Sequence, residues 1–338
     1  VRIECFGRNF ADRYICRGGE ESFQLPFRRI GARYLEFHIV TPEKTGEVEL
    51  HRVGVCPWVL PLPEAAAFDT PDEKLLTVRQ LAIRTLELCM HEHYEDCPWR
   101  EQALYTYDSR NQMLYGYYLW GNWEFAAASL RLFATVLRDD GHLRICAPGR
   151  LPLVIPIFST IWARQMWEHA LYSGDDTVWR EHRAQLCFMR EKFLSARDAA
   201  TGLAQARDPE YWTFYEWAPG LCNGKPGADE VHALYNLYLA NMLEAMARLE
   251  AWRGDGAAAQ TWREEAASLR RKVEELFYDP ASGCYATRCI AGKRVAGELH
   301  EHVQIMMLHA GIVPEAKLPR LLAAVFAGND MVPITLSV

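Results

Sequence analysis

The sequence predicts a mainly helical fold, a toroid of helix pairs preceded by a short β-rich segment. Three observations carry this. From Glu73 almost to the end, apolar residues recur at three- and four-residue spacing. Short breakers such as Gly174-Asp175-Asp176 and Gly254-Asp255-Gly256 cut that pattern into consecutive antiparallel hairpins. The connecting loops are long and aromatic, unlike the tight turns of an up-and-down four-helix bundle.

Residues 1–63 read as the β-rich segment, part of a β-sandwich domain, and residues 64–338 as the helical domain. Phe23–Phe27, Arg33–Val40 and Val48–Leu50 are short apolar stretches separated by turn signals such as Gly18-Gly19 and Thr41-Pro42, a pattern of strands too short for a complete sandwich. Pro57, Pro61 and Pro63 mark a linker. Thr70-Pro71-Asp72-Glu73 then opens a helix, with Thr70 as the cap, Pro71 in the first helical position and Glu73 closing a capping box. Leu75, Val78, Ala82, Thr85, Leu86 and Cys89 form its apolar face. Further helices are predicted near 108–120, 122–138, 157–173, 175–196, 229–253, 256–278, 298–311 and 314–327. Tyr235, Tyr238, Met242, Ala245 and Leu249 share one face of the 229–253 helix.

Composition narrows the function. Half of the 338 residues are hydrophobic, so a sizeable core is available. A formal net charge of −7 argues against nucleic acid as the main partner. No apolar run reaches the roughly 18 residues of a membrane span, and no signal peptide is evident, which points to the cytoplasm. The ten cysteines form no paired framework; Cys89 and Cys187 sit in helical apolar patterns as reduced core residues. No glycine-rich phosphate loop, Gly-x-Ser-x-Gly elbow or His-Glu-x-x-His motif is present, and no cofactor is expected.

Chemistry concentrates in Glu95–Asp108, where four carboxylates, one arginine and three aromatics share a segment kept irregular by Pro98. So much charge needs partners if it is to be buried. Crowded carboxylates disfavour being ionised together, so one of them keeps a proton for general acid chemistry. The aromatics supply flat apolar faces for sugar rings. Together these residues point to a carbohydrate-cleaving site. His91, His93 and Cys97, with Cys89 nearby, are of zinc-binding types, and so are His300, His302 and His309, but neither spacing matches a standard ligand pattern, and no metal is expected.

The block Cys89-Met90-His91-Glu92-His93, continued by Asp96-Cys97-Pro98-Trp99-Arg100-Glu101 and Asp108, resembles the bacterial α-L-rhamnosidases. These are inverting glycosidases with an (α/α) six-hairpin barrel preceded by β-domains. The resemblance extends from about Phe68 onward and is most specific over 89–121. It implies that Glu101 is the general acid and that Asp96 and Asp108 bind rhamnose hydroxyls. Arg100 would temper the negative charge. An acid-tryptophan pair in a comparable loop assigns Glu216 and Trp217, within Tyr211–Trp217 between Pro209 and Pro219, to the sugar pocket. Tyr105 stands where the family has a tryptophan and would keep a stacking surface. Phe158 and Trp162 are read as rim or core, with core favoured for both.

The family's base is a glutamate late in the barrel. Twelve helices close such a ring and about nine are legible, so the base is expected beyond Val338, with Glu301 as the in-chain fallback and Glu298 beside it as a rim or cap residue. An open ring would expose an apolar seam, which allows an oligomer. The expected function is hydrolysis of terminal α-L-rhamnose with inversion. The alternatives are a non-catalytic carbohydrate-binding or assembly protein on the same fold, or another six-hairpin glycosidase.

Overall fold

Helices in this chain differ sharply in how much of their surface is apolar, and that difference sorts them into two layers. The computed structural model describes residues 11–25, 27–41, 48–149, 151–205, 211–222, 224–225, 227, 229–327 and 331–335, together with the backbone of residues 4–5 and 8–9. The chain divides into two compact units, Val1–Trp58 with Pro98–Arg100, and Val59–Cys97 with Glu101–Val338.

In the first unit, β1 (Glu4–Cys5) pairs antiparallel with β2 (Arg8–Asn9). The stretches expected as strands, Arg33–Val40, Val48–Leu50 and the described part of Phe23–Phe27, form no ladder; Pro26 and Pro42 lie outside the described residues. Phe27 is 98% exposed and Val40 84%. Alternation makes a strand only where a neighbouring edge takes up its backbone groups, and among the described residues no such edge is paired with these stretches.

The second unit opens on an extended lead. Leu60 and Leu62 pack on the core, and Ala66 N donates to Leu119 O at 2.8 Å. Helix α1 (Glu73–Leu88) is capped by Asp72, whose Oδ1 accepts from Lys74 N at 2.9 Å and Leu75 N at 3.3 Å. The expected Thr70 cap is thereby corrected. Thr70 Oγ1 accepts from Asp72 N instead, because the chain enters the helix two residues later. The apolar face of α1 is largely uncovered: Leu75, Val78 and Leu81 are 50%, 61% and 64% exposed, and only Leu86 of the helix is buried.

Four hairpins follow: α2 (Thr106–Trp120) with α3 (Trp123–Ala134), α4 (Pro156–Ser173) with α5 (Thr177–Ser195), α6 (Ala233–Trp252) with α7 (Gly256–Phe277), and α8 (Glu301–His309) with α9 (Leu318–Ala327). Helices α2, α4, α6 and α8 pack on one another in succession, and α3, α5, α7 and α9 back them. Burial explains the layering. In α4, 13 of 18 residues are buried and in α6, 15 of 20, whereas α5 buries only 5 of 19 and α7 6 of 22. A helix apolar all round belongs inside; one with a single apolar stripe belongs outside. Nine helices are present among the described residues.

Polar side chains tie the inner layer. Trp162 Nε1 donates to Leu130 O at 3.0 Å, which makes Trp162 a core residue, and Gln165 Nε2 donates to Ser109 Oγ at 2.9 Å. Arg110 grips Glu168 with three bonds, Nε to Oε2 at 2.9 Å and to Oε1 at 3.2 Å, and Nη2 to Oε1 at 2.6 Å; Arg164 Nε adds a fourth at 3.0 Å. Left-handed glycines Gly121 and Gly174 end α2 and α4, where a side chain would strain the backbone.

Each inner helix is preceded by an extended residue: Tyr105, Ile155, His232 and His300. The segments leading into them are held by short bridges, Leu104 to Ala147, Val154 to Tyr211 and His300 to Val332. Before α6 the lead is β3 (Glu230–His232), sheeted with β6 (Arg288–Ile290) and β7 (Lys293–Arg294). β4 (Tyr278–Asp279) and β5 (Cys284–Tyr285) form a separate pair after α7. The loops that carry the acidic cluster therefore enter at helix N-termini, which favour negative charge.

Candidate active site

Asp96 and Ala103 close the acidic loop on itself. Asp96 N donates to Ala103 O at 3.0 Å, and Ala103 N returns to Asp96 Oδ1, also at 3.0 Å. The reversal requires Gln102 to adopt φ 51°, a left-handed conformation that costs a non-glycine residue on the order of 1 kcal/mol. Such strain persists only where the surroundings enforce it, and it often marks functional loops. Beside it, Glu101 N donates to Cys97 Sγ at 3.3 Å, and the phenol of Tyr105 donates to Glu101 Oε2 at 2.7 Å.

Asp108 lies in the first turn of α2. Water reaches its side chain, yet enough protein surrounds it to weaken the solvation of its charge. Burial chiefly, and then the charges of Asp96 and Glu101, push its carboxyl up to about 6 against the pull of its own backbone amide. Asp96 is raised too, by burial first; the Ala103 amide and the Cys97 side chain pull it back, and Glu101 pushes it up. The three carboxylates assigned together from sequence are therefore close enough to feel one another's charge. With its carboxyl pushed up to about 6, Asp108 holds a proton for part of the time near neutral pH. Arg100 is solvent-exposed and groups with Pro98 and Trp99 in the first unit.

An aromatic ladder extends from this cluster. Tyr105 meets Phe158 edge-on at 6.3 Å, Tyr107 stacks on Phe158 at 5.8 Å, and Phe158 meets Phe214 edge-on at 6.2 Å. Trp217 abuts Phe214 at 4.9 Å and Trp212 at 6.1 Å while remaining 65% exposed. Trp217 thus presents a free aromatic surface at the end of the ladder. Phe158 connects the acidic loop to it.

Glu216 and Glu301 occupy different surroundings. Glu216 is fully buried, and its Oε2 accepts from Thr335 N at 3.1 Å and from Thr335 Oγ1. Glu301 begins α8, and its Oε2 accepts from Ile334 N at 2.9 Å. Both carboxylates therefore hold the backbone of the segment that bridges His300. Glu298 accepts from Arg288 Nε at 2.7 Å. Pro209, one of the two prolines flanking the Tyr211–Trp217 loop, lies outside the described residues.

Most of the histidines considered for zinc have protein partners. His91 Nδ1 lies 3.2 Å from Glu95 Oε2, and His93 Nδ1 is 2.8 Å from Tyr94 O. His300 donates through Nε2 to Pro219 O at 2.8 Å, with Thr287 Oγ1 at 2.6 Å on Nδ1. Sequence reasoning missed a buried relay: Tyr107 OH to Tyr238 OH at 3.2 Å, and Tyr238 OH to His302 Nε2 at 3.3 Å. Burial, then the nearby His300, lowers the His302 imidazole to about 4, so it stays neutral. Tyr238, on the helix face it shares with Tyr235 and three apolar residues, was the available signal, since a buried phenol needs a hydrogen-bond partner.

Helix hairpins packed in two layers, with acids clustered where an inner helix begins, define a domain of the six-hairpin glycosidase class. Residues 63–327 match the family model described as the bacterial alpha-L-rhamnosidase 6 hairpin glycosidase domain, and the chain belongs to that family. A GH78 rhamnosidase of Bacillus sp. GL1 is similar in structure, with a TM-score of 0.73 and 22% identity over 82% of this chain and 28% of that one. A rhamnosidase from Klebsiella oxytoca with rhamnose bound gives 0.66 and 20%, over 80% of this chain and 51% of that one. The GH63 mannosylglycerate hydrolase of Thermus thermophilus gives 0.53 and 15%, over 72% and 75%. The chain thus spans 28% to 51% of the two rhamnosidases' lengths. No curated protein matches it.

Proposed function

We propose that this domain hydrolyses terminal α-L-rhamnosides with inversion. Glu101 protonates the glycosidic oxygen as the bond to the sugar breaks, and Asp96 and Asp108 accept hydrogen bonds from the rhamnose hydroxyls. Tyr105, Glu216 and Trp217 shape the sugar pocket, with Trp217 offering its exposed face to a ring. The observation that carries this reading is that Asp96, Glu101 and Asp108 lie close enough to act on one another's charge, on a loop that Asp96 and Ala103 close with two hydrogen bonds. Family membership and the rhamnose-bound Klebsiella oxytoca relative support rhamnose as the glycone.

Inversion requires a base about 6.5–9.5 Å from the acid, with water between them. The hydrogen bond from Ile334 N to Glu301 supports a structural job for that carboxylate. The base is accordingly proposed to come from outside residues 1–338, with Glu301 as the in-chain alternative.

The test is release of an aryl group from an aryl α-L-rhamnoside by a polypeptide that extends past Val338 and can supply the base, as wild type and as Glu101→Gln. Glutamine keeps the shape and removes the transferable proton, so kcat should fall by about 10²–10⁴-fold while rhamnose binding persists. Equal turnover by the two proteins, with a leaving group poor enough to need protonation, rejects Glu101 as the acid. Rhamnose binding without turnover by the wild type would instead identify a carbohydrate-binding domain.

A further inference from the structure

The phenol of Tyr105 reaches the carboxylate of Glu101, not open solvent. Its ring stands edge-on to Phe158 at 6.3 Å and is half-buried, so it is not a free stacking platform. Its backbone is the extended residue that leads into α2, and the preceding Leu104 is pinned by a bridge in which Ala147 N donates to Leu104 O at 3.0 Å. Four residues earlier, the backbone of Glu101 is set by Cys97 Sγ and by the left-handed turn at Gln102. Both ends of the 2.7 Å hydrogen bond are therefore fixed by neighbours that owe nothing to the bond itself.

We propose that Tyr105 is the positioning residue of the acid, a role that rests on the reading of Glu101 as general acid. By donating to Oε2, Tyr105 makes that oxygen an acceptor and fixes the plane of the carboxyl. The proton to be transferred is then carried by the other oxygen of Glu101. In the reaction this proton moves to the glycosidic oxygen as the carbon–oxygen bond breaks, and the resulting Glu101 carboxylate keeps the Tyr105 hydrogen bond. Tyr105 itself stays protonated throughout, since burial and then the Glu101 carboxylate both raise its phenol above the usual range. A hydroxyl at position 105 thus adds something that an aromatic face alone cannot.

Tyr105→Phe tests this, because phenylalanine keeps the ring against Phe158 and removes only the donor. On a rhamnoside with a poor alkyl leaving group, kcat should fall about tenfold or more with KM within about twofold, and an activated aryl leaving group should hide most of the loss. Equal losses on both leaving groups, or a rise in KM alone, would overturn the proposal. A second readout needs no turnover: in crystal structures the Glu101 carboxyl should hold one orientation in the wild type and spread over more than one in Tyr105→Phe. A carboxyl equally ordered in both would overturn the contact. If a wild-type polypeptide extended past Val338 cleaves no rhamnoside, the functional reading falls, while the two structures still decide whether Tyr105 holds Glu101.

Discussion

Asp108 should trade stability for binding, and Asp108→Asn measures the exchange. Its carboxyl stands at about 6 in the folded protein against an ordinary 3.8, chiefly through burial. A raised carboxyl favours the folded state in its protonated form. That contribution is complete below pH 3.8 and is lost as pH rises through about 6. Two pH units correspond to about 3 kcal/mol in full, but water reaches this side chain and screens it, so about 1 kcal/mol is the expected size. Asparagine carries no charge at any pH and keeps an oxygen for the residue's own backbone amide. Urea unfolding of both proteins at pH 4 and pH 7.5 should show near-equal stability at the lower pH. At the higher pH the variant should be more stable by about 1 kcal/mol. Rhamnose affinity should move the other way and fall roughly ten- to a hundred-fold, since hydrogen bonds to a charged acceptor contribute about 1.5–3 kcal/mol. A stability difference that stays constant between the two pH values would refute the assignment of the raised carboxyl to Asp108. Unchanged rhamnose affinity would refute its place in the pocket.

Glu168→Gln should cost about 2–4 kcal/mol, because it leaves Arg110 and Arg164 without their shared anion inside the inner layer; a urea midpoint within error of wild type would show that the arginines find other partners. Replacing Leu75, Val78 and Leu81 on α1 with lysine should change stability by no more than about 0.5 kcal/mol per site, because each is already exposed. Light scattering should show less self-association in that triple variant, and a cooperative loss of the fold would mean that the α1 face is covered in solution.

Helix periodicity is a local property, and the helices were accordingly legible. The patterns near 108–120, 157–173 and 256–278 became Thr106–Trp120, Pro156–Ser173 and Gly256–Phe277. Asp96, Glu101 and Asp108 were readable together for the same reason, since one loop and one helix start carry all three. Strands depend on a partner elsewhere in the chain, and Arg33–Val40 shows that alternation without a paired edge makes no ladder. The Thr70 cap failed on a finer point, because Asp72 is one residue from the helix and its carboxylate reaches two amides at once.

By itself, then, the sequence determined what short-range forces can enforce: which segments are helical, which faces are apolar, and which acids share a turn. The tertiary structure decided which helices lie inside, that Tyr105 from the next turn of chain holds Glu101, and that Phe158, Phe214 and Trp217 line up from distant parts of the chain. It also turned Glu216 and Glu301 toward the backbone at Thr335 and Ile334, which lie 119 and 33 residues further along. Apart from the Tyr105 bond, which spans only four residues, those choices rest on packing between distant segments, where the geometry of contact, not the order of residues, sets the hydrogen bonds.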